Sequence, residues 1–184
     1  MKSCQKIKKQ NIALVLIDSS INSDAYDTCY MTGNMEAGQI AAREMLAMLS
    51  EQGNTDQDSL EVGILLSSDA SQAMVNRVSG FLEYWAKYAP EKWTINQDIR
   101  LNGGDVENAQ ADVAALLTNN KKMKGLYGCN NTSIKGIAAV LMKRNRQDIV
   151  MAGFDLAYKG MLSLDRQIRG ETKGRLRKFC HMHH

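Results

Sequence analysis

Residues 124–136 read Lys-Gly-Leu-Tyr-Gly-Cys-Asn-Asn-Thr-Ser-Ile-Lys-Gly, and the fold turns on how this stretch is read. Its first part, 124–129, has the composition of a short buried strand. Asn131 or Thr132 then opens a helix striped by Ile134, Ile137, Ala138, Leu141 and Met142. A strand that passes into a capped helix with so little between them is half of a parallel crossover unit. The same arrangement recurs on both sides. Upstream, residues 93–101 alternate loosely as a strand, and Asp105 caps a helix striped by Val106, Ala109, Val113, Leu116 and Leu117. Before that, Glu-Val-Gly-Ile-Leu-Leu-Ser at 61–67 is a strand. Ser68 or Asp69 caps its helix, whose stripe is Met74, Val78, Phe81, Leu82, Trp85 and Tyr88, with Pro90 just past the end. The first unit begins with Asn-Ile-Ala-Leu-Val-Leu-Ile at 11–17, an apolar run that fits a strand buried on both faces. A polar stretch follows to about residue 29. A helix then starts from an Asn34 cap, with Met35, Ala41, Met45, Leu46 and Leu49 on one face and Gly53-Asn54 as its stop. Downstream, residues 148–154 form a fifth strand ending at Asp155, and a last helix runs from about 156 to 168. Five alternations of strand and helix predict an α/β fold, an open parallel sheet with helices on both faces.

Composition agrees with one globular unit. Of the 184 residues, 44% are hydrophobic, enough to build a core and to exclude a disordered chain. The longest apolar run, Ile12 to Ile17, is too short to span a bilayer. The net charge of +3 is unevenly spread. Lys2, Lys6, Lys8 and Lys9 crowd one end, and Lys173, Arg175, Arg177 and Lys178 face only Glu171 at the other. Setting these aside leaves 15 basic and 19 acidic residues in 11–170. An acidic body makes a poor nucleic-acid surface, so no nucleic-acid partner is expected and the basic ends read as solvated tails.

Cys4, Cys29, Cys129 and Cys180 show no metal or redox spacing and read as free thiols. His181, His183 and His184 all lie in the last four residues. That removes a catalytic imidazole from the body, and the His-Met-His-His tail reads as a frayed end, not a metal site. There is no phosphate-cradling glycine loop, since Gly103-Gly104 stand alone, and no nucleophile elbow. No catalytic residue, cofactor or metal is therefore expected. The basic start lacks a following apolar h-region, so it does not read as a secretory signal. Tyr84, Trp85, Tyr88 and Trp93 flank one helix end and read as packing.

In an open parallel sheet, ligands bind beyond the carboxyl ends of the strands. The residues there are Asp18-Ser19, Ser67-Ser68-Asp69, Asn102, Asn130-Asn131 and Asp155. Each taken singly is ordinary loop or cap chemistry; Arg77 alone reads as a solvated helix residue and Asp155 as a helix cap. Five polar exits on one rim favour a site for a polar small molecule.

Three segments go further. The first is Val15-Leu16-Ile17-Asp18 followed by Asn34-x-x-Ala37-Gly38-x-x-Ala41-Ala42. The second is Val62-Gly63-Ile64-Leu65 followed by Arg77-x-x-Gly80-Phe81. The third is Leu126-Tyr127-Gly128-Cys129-Asn130-Asn131, with Gly136 after it, followed by Ile149-Val150-Met151-Ala152-Gly153-Phe154-Asp155. In this order and spacing, across about 12–170, the chain resembles the type I periplasmic binding proteins. That family includes ribose-binding protein and the effector domains of the lactose-repressor family. The resemblance implies two lobes of like topology, joined by a hinge, with the ligand clamped between them. Residues 1–32 would be a remnant of the N-lobe with a hinge crossing near Tyr30 to Gly33. Residues 33–170 would be a nearly complete, Rossmann-like C-lobe, and 171–184 a tail. Family ligand contacts carry over to Asp18, Arg77, Asn130 and Asp155, with Ser19 and Phe154 beside them. A carboxylate accepts two hydroxyl protons, a guanidinium donates in a fork, and an amide does one of each.

The family's opening βα units, with their ring-stacking aromatic platform, do not precede Met1, and no further strand pattern follows Gly170. The chain thus reads as a fragment with weak or no sugar affinity alone, whose uncovered sheet edges favour association. What the resemblance implies is a non-enzymatic sugar-binding component of an ABC transporter, partnered in full length by a membrane permease and located in the periplasm or outside the cytoplasm. The alternatives are the effector domain of a lactose-repressor-family regulator, or a small α/β enzyme using Asp18 and Asp155.

Overall fold

The computed structural model describes residues 2–17 and 21–155. The expected last helix at 156–168, the tail with Cys180 and its histidines, and the candidates Asp18 and Ser19 lie outside the described residues.

The elements are α1 (Lys2–Lys9), β1 (Val15–Ile17), β2 (Thr28–Tyr30), α2 (Asn34–Glu51), β3 (Leu60–Leu66), α3 (Gln72–Tyr88), β4 (Trp93–Ile95), β5 (Arg100–Leu101), α4 (Val106–Asn119), β6 (Met123–Gly128), α5 (Asn131–Lys143) and β7 (Val150–Gly153). The main sheet has the order β4-β3-β6-β7, with β5 also pairing β3, and every pairing is parallel. Leu65 pairs Gly128, and Gly128 pairs Gly153, so β3, β6 and β7 end in step.

Alternation along the strands feeds two cores. Ile64 and Tyr127 join Met45, Leu49, Phe81 and Trp85 on the side covered by α2 and α3. Leu65 and Leu126 join Val113, Leu116 and Ile137 on the side covered by α4 and α5. Phe81 stacks on Tyr127 with ring centroids 4.5 Å apart. Each such buried ring adds about 1.5–3 kcal/mol of hydrophobic stabilisation. The expected helices on both faces of a parallel sheet are therefore present.

Helices α2 and α3 pack backbone against backbone. A Cβ on Gly38 would lie 2.1 Å from the Arg77 carbonyl oxygen, and one on Gly80 would lie 1.9 Å from the Met35 carbonyl oxygen. No other residue fits at either crossing point, because any side chain would force the helices apart. The glycines of the two motifs are thus packing glycines, and what they permit is the approach of Asn34 to Arg77.

Several expectations need correction. The run 11–17 is not a strand buried on both faces. Only Val15–Ile17 pair, with Thr28–Tyr30, in a separate two-stranded parallel sheet. Val15 is 49% and Ile17 77% exposed. Periodicity records a demand for cover, and among the described residues no element meets that demand. The basic first residues are not a plain tail: they form α1, which buries none of its side chains. The strand expected over 93–101 is two, because Asn96 bonds the Asp98 amide through its side chain at 3.0 Å and turns the chain. Helix α3 is preceded by Ser71, whereas Ser68 Oγ accepts from the Ala70 amide at 3.1 Å in the loop before it. Asn34 is the first helical residue behind Gly33 and does not cap. Met35 and Tyr88, assigned to buried stripes, are exposed. The cap of α5 is Asn130.

Trp85 and Trp93 are core residues. The Trp85 indole donates to the Trp93 carbonyl at 2.9 Å and the Trp93 indole to the Thr55 carbonyl at 3.1 Å. Cys4, Cys29 and Cys129 are free. No helix among the described residues is long and apolar enough to cross a membrane, and no group of three or more potential metal ligands occurs among them.

Candidate functional site at the carboxyl ends of the strands

Past their last paired residues the strands stay tied together. The Cys129 amide donates to the Leu65 carbonyl at 2.9 Å, the Phe154 amide to Gly128 at 3.0 Å, and the Asn102 amide to Leu66 at 3.0 Å. These bonds hold the exits of β3, β5, β6 and β7 in fixed relation, so their polar side chains share one rim.

Arg77 is the centre of this rim. It projects from α3 and is only 4% exposed. Its Nε donates to Asn34 Oδ1 at 2.8 Å and its Nη1 to the Cys129 carbonyl at 3.0 Å. Its Cζ lies 3.4 Å from the centroid of the Phe154 ring. Three elements distant in sequence therefore fix one guanidinium. A buried cation is tolerable because its donors are paired and its face is stacked on an aromatic ring, a contact worth about 0.5–2 kcal/mol. The reading of Arg77 as a solvated helix residue is thus wrong; its register in the motif is the better guide.

Asp155 follows Phe154 in a left-handed backbone conformation, φ 76°. Asp tolerates that region better than most residues. Its Oδ2 accepts from the Asn131 amide at 3.2 Å, at the start of α5. A carboxylate there meets the positive end of the helix dipole. The helix that Asp155 was expected to cap lies outside the described residues; here its carboxylate is exposed and retains acceptor capacity.

Asn130 belongs to a short polar chain. Its Oδ1 accepts from the Ser133 amide at 3.3 Å and from the Ser133 hydroxyl at 2.6 Å, while Ser133 Oγ accepts from Asn102 Nδ2 at 2.8 Å. Asn102 and Ser133 are buried. With its oxygen so engaged, what Asn130 offers to a ligand is its Nδ2 donor. Among the described residues, the buried Asn34 Nδ2 and Asn131 Oδ1 have no hydrogen-bond partner, while the Tyr127 hydroxyl meets the Cys129 thiol, a weak hydrogen-bonding group.

Arg77, Asn130, Phe154 and Asp155 are therefore brought together, whereas Asp18 and Ser19 lie outside the described residues. Sequence reasoning missed Asn34, which it took for a cap, and Ser133. Asn102 was visible as a polar strand exit, but nothing local distinguishes its link to Ser133. The Cys129 thiol is no nucleophile: burial raises its pKa to about 12. Burial likewise pushes the Tyr127 phenol well above its ordinary value.

A donor- and acceptor-lined rim at the carboxyl ends of an open parallel sheet is the place where α/β domains take small ligands. The family model of the periplasmic binding protein domain matches residues 1–166, and the chain belongs to that family, as a type I periplasmic binding protein. The D-apiose import binding protein of Actinobacillus succinogenes is 24% identical over 152 residues, 82% of this chain and 46% of that protein. A carbohydrate transporter solute binding protein from Agrobacterium radiobacter, solved with D-arabinose, aligns at a TM-score of 0.75 and 23% identity, over 85% of this chain and 52% of its own. The periplasmic component of an ABC-type sugar transport system from Hahella chejuensis aligns at 0.77 and 22%, over 90% and 58%. The chain thus spans about half the length of these relatives, and at these identities the structural likeness establishes the fold.

Proposed function

We propose that this chain forms one wall of a site for a small polyhydroxylated solute, a sugar, in the solute-binding component of an ABC importer. The observation that carries the reading is the Arg77 guanidinium, stacked on Phe154 and bonded to Asn34 and the Cys129 carbonyl at the mouth between β6 and β7. Around it stand an amide donor on Asn130 and an acceptor carboxylate on Asp155. A sugar presents hydroxyls that donate and accept at once, together with an apolar ring face. A fixed fork, a carboxylate, an amide and an aromatic ring match that pattern. Arg77 covers one face of Phe154, which leaves the ring edge and the other face for the ligand. By the family resemblance, Asp18 and Ser19 are proposed as further ligand contacts.

The relatives' names support the choice of ligand and role, since they describe D-apiose import, D-arabinose binding and sugar transport. They also favour transport over regulation. In this reading the protein binds reversibly without turnover, works outside the cytoplasm and delivers to a membrane permease. The separate β1–β2 sheet supports the assignment of residues 1–32 to a second lobe, with the crossing at Tyr30 to Gly33 and the C-lobe from residue 33.

One wall alone predicts weak binding. Titration of the ¹⁵N-labelled chain with D-arabinose and with D-apiose should move the amides of 129–131 and 153–155, with a midpoint in the millimolar range or above. Shifts confined to other surfaces, or none with either pentose, would remove the assignment.

A further inference from the structure

We infer that Asn34 is a positioning residue for the ligand-facing guanidinium: it sets the plane of Arg77 from the start of α2 without itself touching the ligand. Its role in affinity rests on the sugar-site reading above; its role in orienting Arg77 does not.

Asn34 is 4% exposed, the first residue of α2, and spends its carboxamide oxygen on Arg77 Nε at 2.8 Å. All five guanidinium N–H bonds lie in the plane of the group, so holding two of its nitrogens at once, Nε and Nη1, fixes that plane. With Nε held by Asn34 and Nη1 by the Cys129 carbonyl, the guanidinium carbon sits 3.4 Å from the centroid of the Phe154 ring. Both of these acceptors are neutral, so they orient the cation without cancelling its charge. Among the described residues Asn34 Nδ2 has no hydrogen-bond partner, so the bond seen from this amide runs through its oxygen. The backbone contacts at Gly38 and Gly80 are what bring the oxygen within reach. Asn34 also directly follows residues 30–33, where the chain leaves β2. A displacement of that segment therefore reaches Arg77 both through this side chain and through the helix crossing.

The test compares Asn34→Leu with Asn34→Asp in the full chain, each checked for fold by circular dichroism. The first readout needs no ligand: the Arg77 Nε–H resonance and its exchange with water. In the parent chain this proton should be protected. In Asn34→Leu it should move and exchange at least about tenfold faster, and Asn34→Asp, which restores an oxygen acceptor, should recover most of the protection. The second readout is the D-arabinose titration. Asn34→Leu should weaken the midpoint about tenfold, with Asn34→Asp much nearer the parent. An unchanged Arg77 Nε–H signal in Asn34→Leu, or no recovery in Asn34→Asp, overturns the inference. A protected Nε–H in a chain that responds to no pentose supports the positioning role and counts against the sugar reading instead. If Asn34→Leu is unfolded, the Asn34→Asp result decides: loss of Nε–H protection in a folded variant sinks the proposal, and retention upholds it.

Discussion

The two ends of the main sheet both carry polar networks, and they differ in kind. At the amino end, the Glu61 carboxylate accepts from the side-chain amides of Asn96 and Asn120. Nearby, Asp148 pairs with Arg146 at 2.6 Å and with Lys124 at 3.3 Å. The Asp148 side chain is 45% exposed, so water and salt compete for its partners. At the carboxyl end, Arg77, Asn34, Asn102 and Ser133 are all buried and bonded to one another or to strand backbone. The difference has a physical source. In a parallel sheet α3, α4 and α5 begin at the carboxyl end, bringing unbonded amides and positive dipole ends to one rim, while the amino end receives only helix C-termini and returning loops. In the proposed reading, the polar groups buried at the first rim are preorganised for a ligand, whereas those at the second are partly solvated fastenings.

That contrast can be broken by mutation. The largest effect should come from Arg77→Leu, which strips donors from Asn34 Oδ1 and the Cys129 carbonyl and uncovers Phe154. With hydrogen bonds from a charged donor worth about 1.5–3 kcal/mol each, a loss of roughly 3 kcal/mol in urea unfolding is expected, insensitive to salt. A loss below roughly 1 kcal/mol would put the carboxyl rim in the same class as the amino rim. Gly80→Ala comes next. Its methyl would strike the Met35 carbonyl, and overpacking of this kind costs about 1–3 kcal/mol, read as a lowered thermal midpoint. It should also disturb the Arg77 Nε–H signal, because the crossing sets that contact.

The amino rim should respond weakly. Asp148 has its pKa lowered to about 2 by hydrogen bonds from Arg146, with Lys124 adding to the effect. A depressed folded-state pKa contributes stability above the unfolded value near 4, and that contribution is lost as pH falls from there through about 2. At this exposure the contribution should stay below about 1 kcal/mol, so Asp148→Asn should change stability little at neutral pH and less still in high salt. The smallest effect sharpens the comparison from the other side. Tyr127→Phe removes a buried hydroxyl that meets the Cys129 thiol, a weak hydrogen-bonding group, so stability should change by no more than about 1 kcal/mol. A clear destabilisation would mean that the hydroxyl–thiol contact outweighs the cost of burying the hydroxyl.

Much of the fold was legible because its signals are local. The hydrophobic stripes of α3, α4 and α5, the Asp105 cap and the buried runs of β3, β6 and β7 all depend on neighbours within a few residues. The run at 11–17 was misjudged for the opposite reason: burial on two faces is a property of what lies against a strand, not of the strand. The site was partly legible. Arg77, Asn130, Phe154 and Asp155 were singled out through the family resemblance of the motifs they sit in, and the fold places them on one rim. Asn34 escaped because an asparagine at a helix start has a cheaper local explanation, and Ser133 because its role depends on Asn102, which lies 31 residues away.

The chain's order of periods, caps and breakers was enough to determine a parallel α/β sheet and the rim on which polar side chains collect, since both follow from backbone geometry and short-range hydrogen bonding. The partner of each polar group was decided only in three dimensions. Asn34 and Arg77 stand 43 residues apart, and they meet because two helices touch at glycines, a contact that exists only once the sheet beneath them has formed.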